Sequence, residues 1–141
     1  MKKLAIIILL SFVYSCSTNK NLANRPLFEV LTFKNDGGAK IKFYEVLTEP
    51  KEIIMLMADS SIRNKINEND LTNCNFVILN LGELPEGNNS IEIESVKETS
   101  TNIEIKIKED KTRTEEIPLE AVIVRPYEVL KINSKKPIIF K

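Results

Sequence analysis

Residues 76–93, FVILNLGELPEGNNSIEI, constrain the fold more than any other stretch of the chain. An apolar run from Phe76 to Leu81 enters a polar loop holding Gly82, Pro85 and Gly87, and the chain leaves that loop as an alternating strand, Ser90 to Val96. A run that does not alternate has both faces covered, so Phe76–Leu81 is expected to be a central strand of a sheet. Covering both faces needs material on each side. A chain of 141 residues, 43% of them hydrophobic, can supply it as one domain without metal or disulfide staples.

The remaining segments fit around that strand. Ile91-Glu92-Ile93-Glu94 and Ile103 to Lys108 alternate strictly, which gives each one dry and one wet face. The polar turn Lys97–Asn102 joins them as a hairpin. Glu92 and Glu94 then share the wet face with Glu104, Lys106 and Lys108, and each cross-strand Glu–Lys pair there contributes roughly 0.2–1 kcal/mol. Phe28–Phe33 and Lys40–Leu47 are β-branched and aromatic runs either side of Asn35-Asp36-Gly37-Gly38, a pattern that predicts a second hairpin. Thr48-Glu49-Pro50 opens a helix, because proline is tolerated in the first turn, and Ile53, Leu56 and Met57 recur at helical spacing to about residue 59. Ile62 and Ile66 mark a short second helix, and residues 67–73 read as a loop. Towards the C-terminus, Lys108–Glu116 reads as a solvated charge run and Ile117–Val124 as a strand. Arg125-Pro126 breaks that strand, and Tyr127–Ile132 and Pro137–Phe140 follow as two more, their prolines suiting strand starts or an edge. Because the helices fall together and not between successive strands, the expected fold is α+β: a mostly antiparallel β-sheet of seven or eight strands with one or two short helices packed on it.

The N-terminus carries an address. Lys2 and Lys3 precede an almost wholly apolar stretch, Leu4–Val13, whose length of about ten residues suits a signal peptide and is too short to span a bilayer. Val13-Tyr14-Ser15-Cys16 then resembles the cleavage site of a bacterial lipoprotein. On this reading residues 1–15 are the signal peptide, Cys16 is lipidated, residues 16–26 are a polar tether and residues 27–141 form the domain. Two or three acyl chains would hold Cys16 stably in a lipid bilayer where a single chain is marginal. No acidic run follows Cys16, which favours an outer-membrane anchor facing the periplasm over display on the cell surface. Cys74, the other cysteine, stands at the start of the apolar run and is expected to behave as a small buried hydrophobe.

Several chemistries are excluded or unsupported. The chain holds 20 basic and 20 acidic side chains. Without Lys2 and Lys3 the balance is 18 against 20, a net charge of −2 that offers no basic face for nucleic acid. With no histidine, neither a Ser-His-Asp nor a Cys-His pair can form, and a single mature thiol does not make a zinc site. No glycine-rich phosphate loop is present, and no pair of carboxylates is singled out from the many on wet strand faces. The sequence therefore implies no cofactor, no metal and no enzyme activity. What it does offer is the loop Gly82, Glu83, Leu84, Pro85, Glu86, Gly87, Asn88, Asn89. This is either a connection whose glycines and proline set the turn, or a recognition loop carrying two carboxylates on a rigid sheet.

From this loop to the C-terminus, Phe76–Phe140 resembles the PrcB C-terminal domain family, small bacterial lipoproteins named after a protease-complex subunit. Gly82, Pro85, Gly87, Ser90, Ile91 and Ile93 match the family's loop motif, G-x-x-P-T-G-G-Y-S-I-x-I. Pro126, Tyr127, Val129, Lys135, Pro137 and Phe140 match its C-terminal motif. At the loop tip the family's Thr-Gly-Gly-Tyr is replaced by Glu86-Gly87-Asn88-Asn89, so an aromatic of the usual anchoring kind is missing. The resemblance implies a non-enzymatic, lipid-anchored subunit that associates with or stabilises another envelope protein, such as a secreted or surface protease, with residues 82–89, Pro126 and Tyr127 as its binding residues. Two other readings stay open: a peptidase inhibitor acting through loop 82–89, and a lipoprotein that binds a small ligand or an envelope polymer.

Overall fold

A computed structural model describes residues 25–87, 90–108 and 119–141. The expected leader, Cys16 and most of the expected tether, the loop-tip residues Asn88 and Asn89, and residues 109–118 of the charge run and the strand expected after it lie outside the described residues.

Among the described residues there are nine strands and three short helices. The central layer is a four-stranded antiparallel sheet of β1 (Phe28–Lys34), β2 (Phe43–Leu47), β3 (Asn75–Asn80) and β8 (Tyr127–Ile132), in the order β1-β8-β3-β2. The helices α1 (Pro50–Leu56), α2 (Ser60–Arg63) and α3 (Glu68–Asn73) cover one face, where Ile53 and Ile62 join Leu31, Leu47, Phe76 and Val129 in one buried cluster. A second sheet of β5 (Glu92–Glu98), β6 (Ile103–Lys108) and β9 (Ile138–Phe140) covers the other, where Ile103 and Ile105 meet Val77, Leu79, Leu130 and Ile132. The fold is α+β and mostly antiparallel, as expected, and the strand and helix counts exceed the expected seven or eight and one or two by short elements. Only β9 breaks the antiparallel rule, running parallel to β6 with Ile103 opposite Ile138.

The apolar run takes the place its pattern demanded: β3 lies between β8 and β2, and five of its six residues are buried. Asn80, the polar residue in that run, is buried too, and its side chain is fully used. Its Oδ1 accepts from Ala39 N–H at 2.9 Å, and its Nδ2 donates to the carbonyls of Ala39 at 3.0 Å and Ile41 at 2.7 Å. The expected β5–β6 hairpin forms, and Lys106–Glu94 (2.8 Å) and Lys108–Glu92 (2.9 Å) are cross-strand pairs on its wet face.

Two expectations are overturned. β1 and β2 are not a hairpin; they are the two outer strands of the four-stranded sheet, with β8 and β3 between them. The Asn35-Asp36-Gly37-Gly38 stretch carries the chain across the end of the sheet; Gly37 supplies a φ of +105°, and Gly38 serves close approach. Gly38 N–H donates to Arg125 O at 2.9 Å, and a Cβ on Gly38 would lie 2.2 Å from Asn80 Oδ1. Nor are residues 67–73 a loop. Asn67 and Asp70 cap α3 reciprocally, Asp70 N–H donating to Asn67 Oδ1 at 3.2 Å and Asn67 N–H to Asp70 Oδ2 at 3.0 Å. Residues that compete with the backbone in a helix interior are the ones that start a helix well at its cap.

Cys74 is buried, and burial pushes its thiol up to about 11. A thiol that stays protonated and covered does not react. The folded protein is therefore expected to show no Cys74 labelling by a thiol reagent at pH 8, with full labelling once denaturant unfolds it.

Candidate functional site

The strand order gathers three connections at one end of the four-stranded sheet: residues 35–42 after β1, residues 81–87 after β3, and residues 119–126 before β8. A two-stranded ribbon ties the last two together, with β4 (Leu84–Pro85) antiparallel to β7 (Ile123–Val124). Leu81 N–H donates to Pro126 O at 3.0 Å, and Glu86 N–H to Val122 O at 2.7 Å. From the first connection, Lys40 O accepts Glu83 N–H at 3.0 Å. The two sequence motifs, remote in the chain, thus share one backbone hydrogen-bond network.

Side chains reinforce it. Arg125 grips Glu83 through Nη2 at 2.8 Å and Nε at 3.1 Å, both half-buried. Asp36 Oδ1 accepts Arg125 N–H at 3.0 Å, and hydrogen bonds from the backbone of Gly37 and then Arg125 hold the Asp36 carboxyl below its ordinary range. Tyr127 packs against the helix-side core and lies under Lys34, whose Nζ is 5.9 Å from the ring centroid and pairs with Asp59. That pairing is the main cause that raises the Lys34 ammonium.

The expected binding residues therefore fall into two groups. Gly82 and Pro126 are buried, and Glu83, Pro85 and Tyr127 are partly buried; they build the loop end and are engaged within it. Glu86 and Gly87 are exposed at its tip, while Asn88 and Asn89 lie outside the described residues. Sequence reading missed Arg125, Asp36 and the apolar side chains that these connections leave in water, among them Leu119, Ile41 (76% exposed) and Val122 (62%), with Ile123 and Phe43 less exposed. The missed ion pair had one signal, a lone arginine in a break between strands. The exposed apolar residues had none, since an isoleucine in a strand-like run reads as core.

Comparison with known proteins supports the reading of the chain's second half. A family model described as PrcB C-terminal matches residues 75–133. That segment is the PrcB C-terminal family match the loop motif points to. It begins with β3, takes in the loop, the ribbon and the β5–β6 hairpin, and closes with β8, so it holds two of the three connections at the loop end. No curated protein and no solved structure matches the chain. Among the described residues, no group of three or more His, Cys, Asp or Glu side chains could hold a metal ion.

One buried acid stands apart from this network. Glu128 in β8 faces the second sheet's side of the central layer, and desolvation alone pushes its carboxyl up to about 7 from an ordinary 4.5. The folded chain then keeps this proton at pH values where the unfolded chain has released it. The stability it contributes is full below about 4.5 and is lost as pH rises towards 7. Chemical denaturation at pH 5 and pH 8 is expected to show the wild type losing on the order of 2–3 kcal/mol across that window through this group, and Glu128→Gln losing much less.

Proposed function

We propose that this chain is a lipid-anchored accessory subunit of the bacterial cell envelope, held by acylated Cys16, which binds another envelope protein, a protease or a subunit of its complex, through the loop end of the sheet. The observation that carries the reading is where the two ends of the domain lie. Arg25, Pro26 and Phe28 sit at the far end of β1, with Pro26 O accepting from Asn133 Nδ2 at 2.6 Å and Phe28 opposite Ile132. Lys34 and Tyr127 mark the loop end of the same strand pair. The six-residue strand β8 separates the two ends by roughly 17 Å. A tether leaving at Arg25 would thus put Ile41, Glu86, Val122 and Ile123 on the side away from the bilayer, where a partner can reach them. Exposed apolar side chains gathered at one end of a sheet with charged ones among them suit such a contact.

The test is co-purification of the native protein from envelope extracts, read by mass spectrometry, beside Cys16→Ala and Val122→Asp. One partner at near-stoichiometric yield, lost with Val122→Asp, is expected, and the Cys16→Ala protein should leave the membrane fraction. Failure to recover any specific protein under several growth conditions removes the accessory-subunit reading.

A further inference from the structure

Glu128 is 4% exposed, and among the described residues no hydrogen-bond donor or cation meets its carboxyl. Cross-strand partners point to the same side of a sheet. Glu128 is opposite Leu79 on β3 and Phe33 on β1, and Leu130, two residues on, is opposite Val30. Leu79 and Leu130 are fully buried, whereas Phe33 is 44% and Val30 48% exposed. On this side of the central sheet, then, the apolar cover given by the described residues ends at β1 and leaves a shallow apolar shelf with a carboxyl beneath its rim. Among the described residues, β2 and the residue just ahead of it bring two titratable groups to that side, Tyr44 and Lys42, with Lys42 Nζ 5.6 Å from the Tyr44 ring centroid, and no cation forms an ion pair with Glu128. Glu29, Lys34 and Lys131 stand on the opposite, helix-covered side, paired with one another or with Asp59 and Asp70.

We propose that this shelf is a recognition site for a basic side chain, arginine or lysine, flanked by apolar residues in an extended segment of a partner protein, with Glu128 as its specificity-determining residue. The charge argument is direct. A desolvated carboxyl without a cation is costly as an anion, and a guanidinium or ammonium arriving with its own apolar neighbours offsets that cost while covering Phe33 and Val30. Because Glu128 must give up its proton to accept the cation, binding releases a proton and tightens as pH rises. The site lies on a different surface from the loop end. It deepens the accessory-subunit reading by naming what the partner presents, and it rests on that reading only in taking the ligand to be a protein.

The probe is a capped peptide, Ac-Leu-Arg-Leu-NH2, against Ac-Leu-Gln-Leu-NH2, titrated into the full-length chain in detergent micelles with its glutamate carboxyls carbon-13 labelled. The arginine peptide is expected to shift the Glu128 resonance, to bind several-fold tighter at pH 8 than at pH 6, and to lose that pH dependence with Glu128→Gln. Equal binding of the two peptides, or no movement of Glu128 with either, overturns the proposal. It also fails if Lys111→Gln with Arg113→Gln raises the midpoint of the Glu128 titration in the free protein, since the chain's own cations would then be the occupants. None of these outcomes depends on recovering a partner from extracts, so a failed co-purification and a failed peptide titration remain separable.

Discussion

Gly82→Ala is expected to destabilise the domain by about 3 kcal/mol or more, and Gly87→Ala, five residues on in the same loop, by less than about 0.5 kcal/mol. The difference is geometric. Gly82 has φ +77°, in the left-handed region that costs an L-residue energy, and a Cβ there would sit 2.8 Å from Lys42 N and 2.9 Å from Lys40 O. Both obstacles are backbone, so neither can swing aside. At Gly87 a Cβ meets nothing within 4 Å. The Gly82 crossing is where the loop after β3 presses on the connection after β1, beside the Glu83 N–H to Lys40 O bond. Its loss would therefore be felt first at the proposed contact surface. Urea denaturation of both variants gives the stabilities, and hydrogen exchange at residues 39–43 and 81–86 shows whether the damage is local. Equal cost at the two glycines would mean that the loop after β3 relaxes away from the first connection, and that the loop end is not held rigidly by its hydrogen-bond network.

That asymmetry also marks how far the chain could be read without its structure. Pattern sufficed where a residue's neighbours are set by its own segment. The covered faces of Phe76–Leu79, the alternation of Ile103–Lys108 and the Glu92–Lys108 and Glu94–Lys106 pairs all follow from periodicity and a short turn. Pattern failed where a residue's partner is remote. Asp36-Gly37-Gly38 has the chemistry of a hairpin turn, and a hairpin was the local answer; β8, some ninety residues away, takes the place beside β1 that β2 would have had. Glu83 read as a free carboxylate in a recognition loop because Arg125, its partner, lies 42 residues on. The candidate site was thus legible as two motifs, and their meeting on one hydrogen-bond network was not. The α3 helix is a different kind of miss, since its capping pair, Asn67 and Asp70, is local and was visible as a spacing of three.

Asp70→Ala is expected to be the most destabilising single change at the opposite end, at about 3–5 kcal/mol. Asp70 is fully buried, and its carboxylate is met by Lys131 at 3.7 Å, by Arg25 at 3.7 Å and by Asn67 N–H at 3.0 Å. Lys131 is buried in turn, and its other partner is Glu29 at 3.1 Å. Removing Asp70 uncaps α3 and leaves a buried ammonium with one half-exposed carboxylate, and a charge so stranded costs far more than the pair contributed. Adding Lys131→Met to the Asp70→Ala chain should recover part of the loss, because an apolar side chain of similar length needs no counter-charge; a simple cavity at position 70 predicts no such recovery. Arg25 gives the pair a second consequence. Just ahead of β1, it reaches α3 through the Asp70 carboxylate, so in Asp70→Ala hydrogen exchange should quicken in α3 and at residues 25–29 while protection of the β4–β7 ribbon is unchanged. If exchange quickens equally at both ends, the domain opens as one cooperative unit. The separation of the proposed anchoring end from the proposed binding end would then be one of position alone, and a pull on the proposed tether would reach the proposed partner.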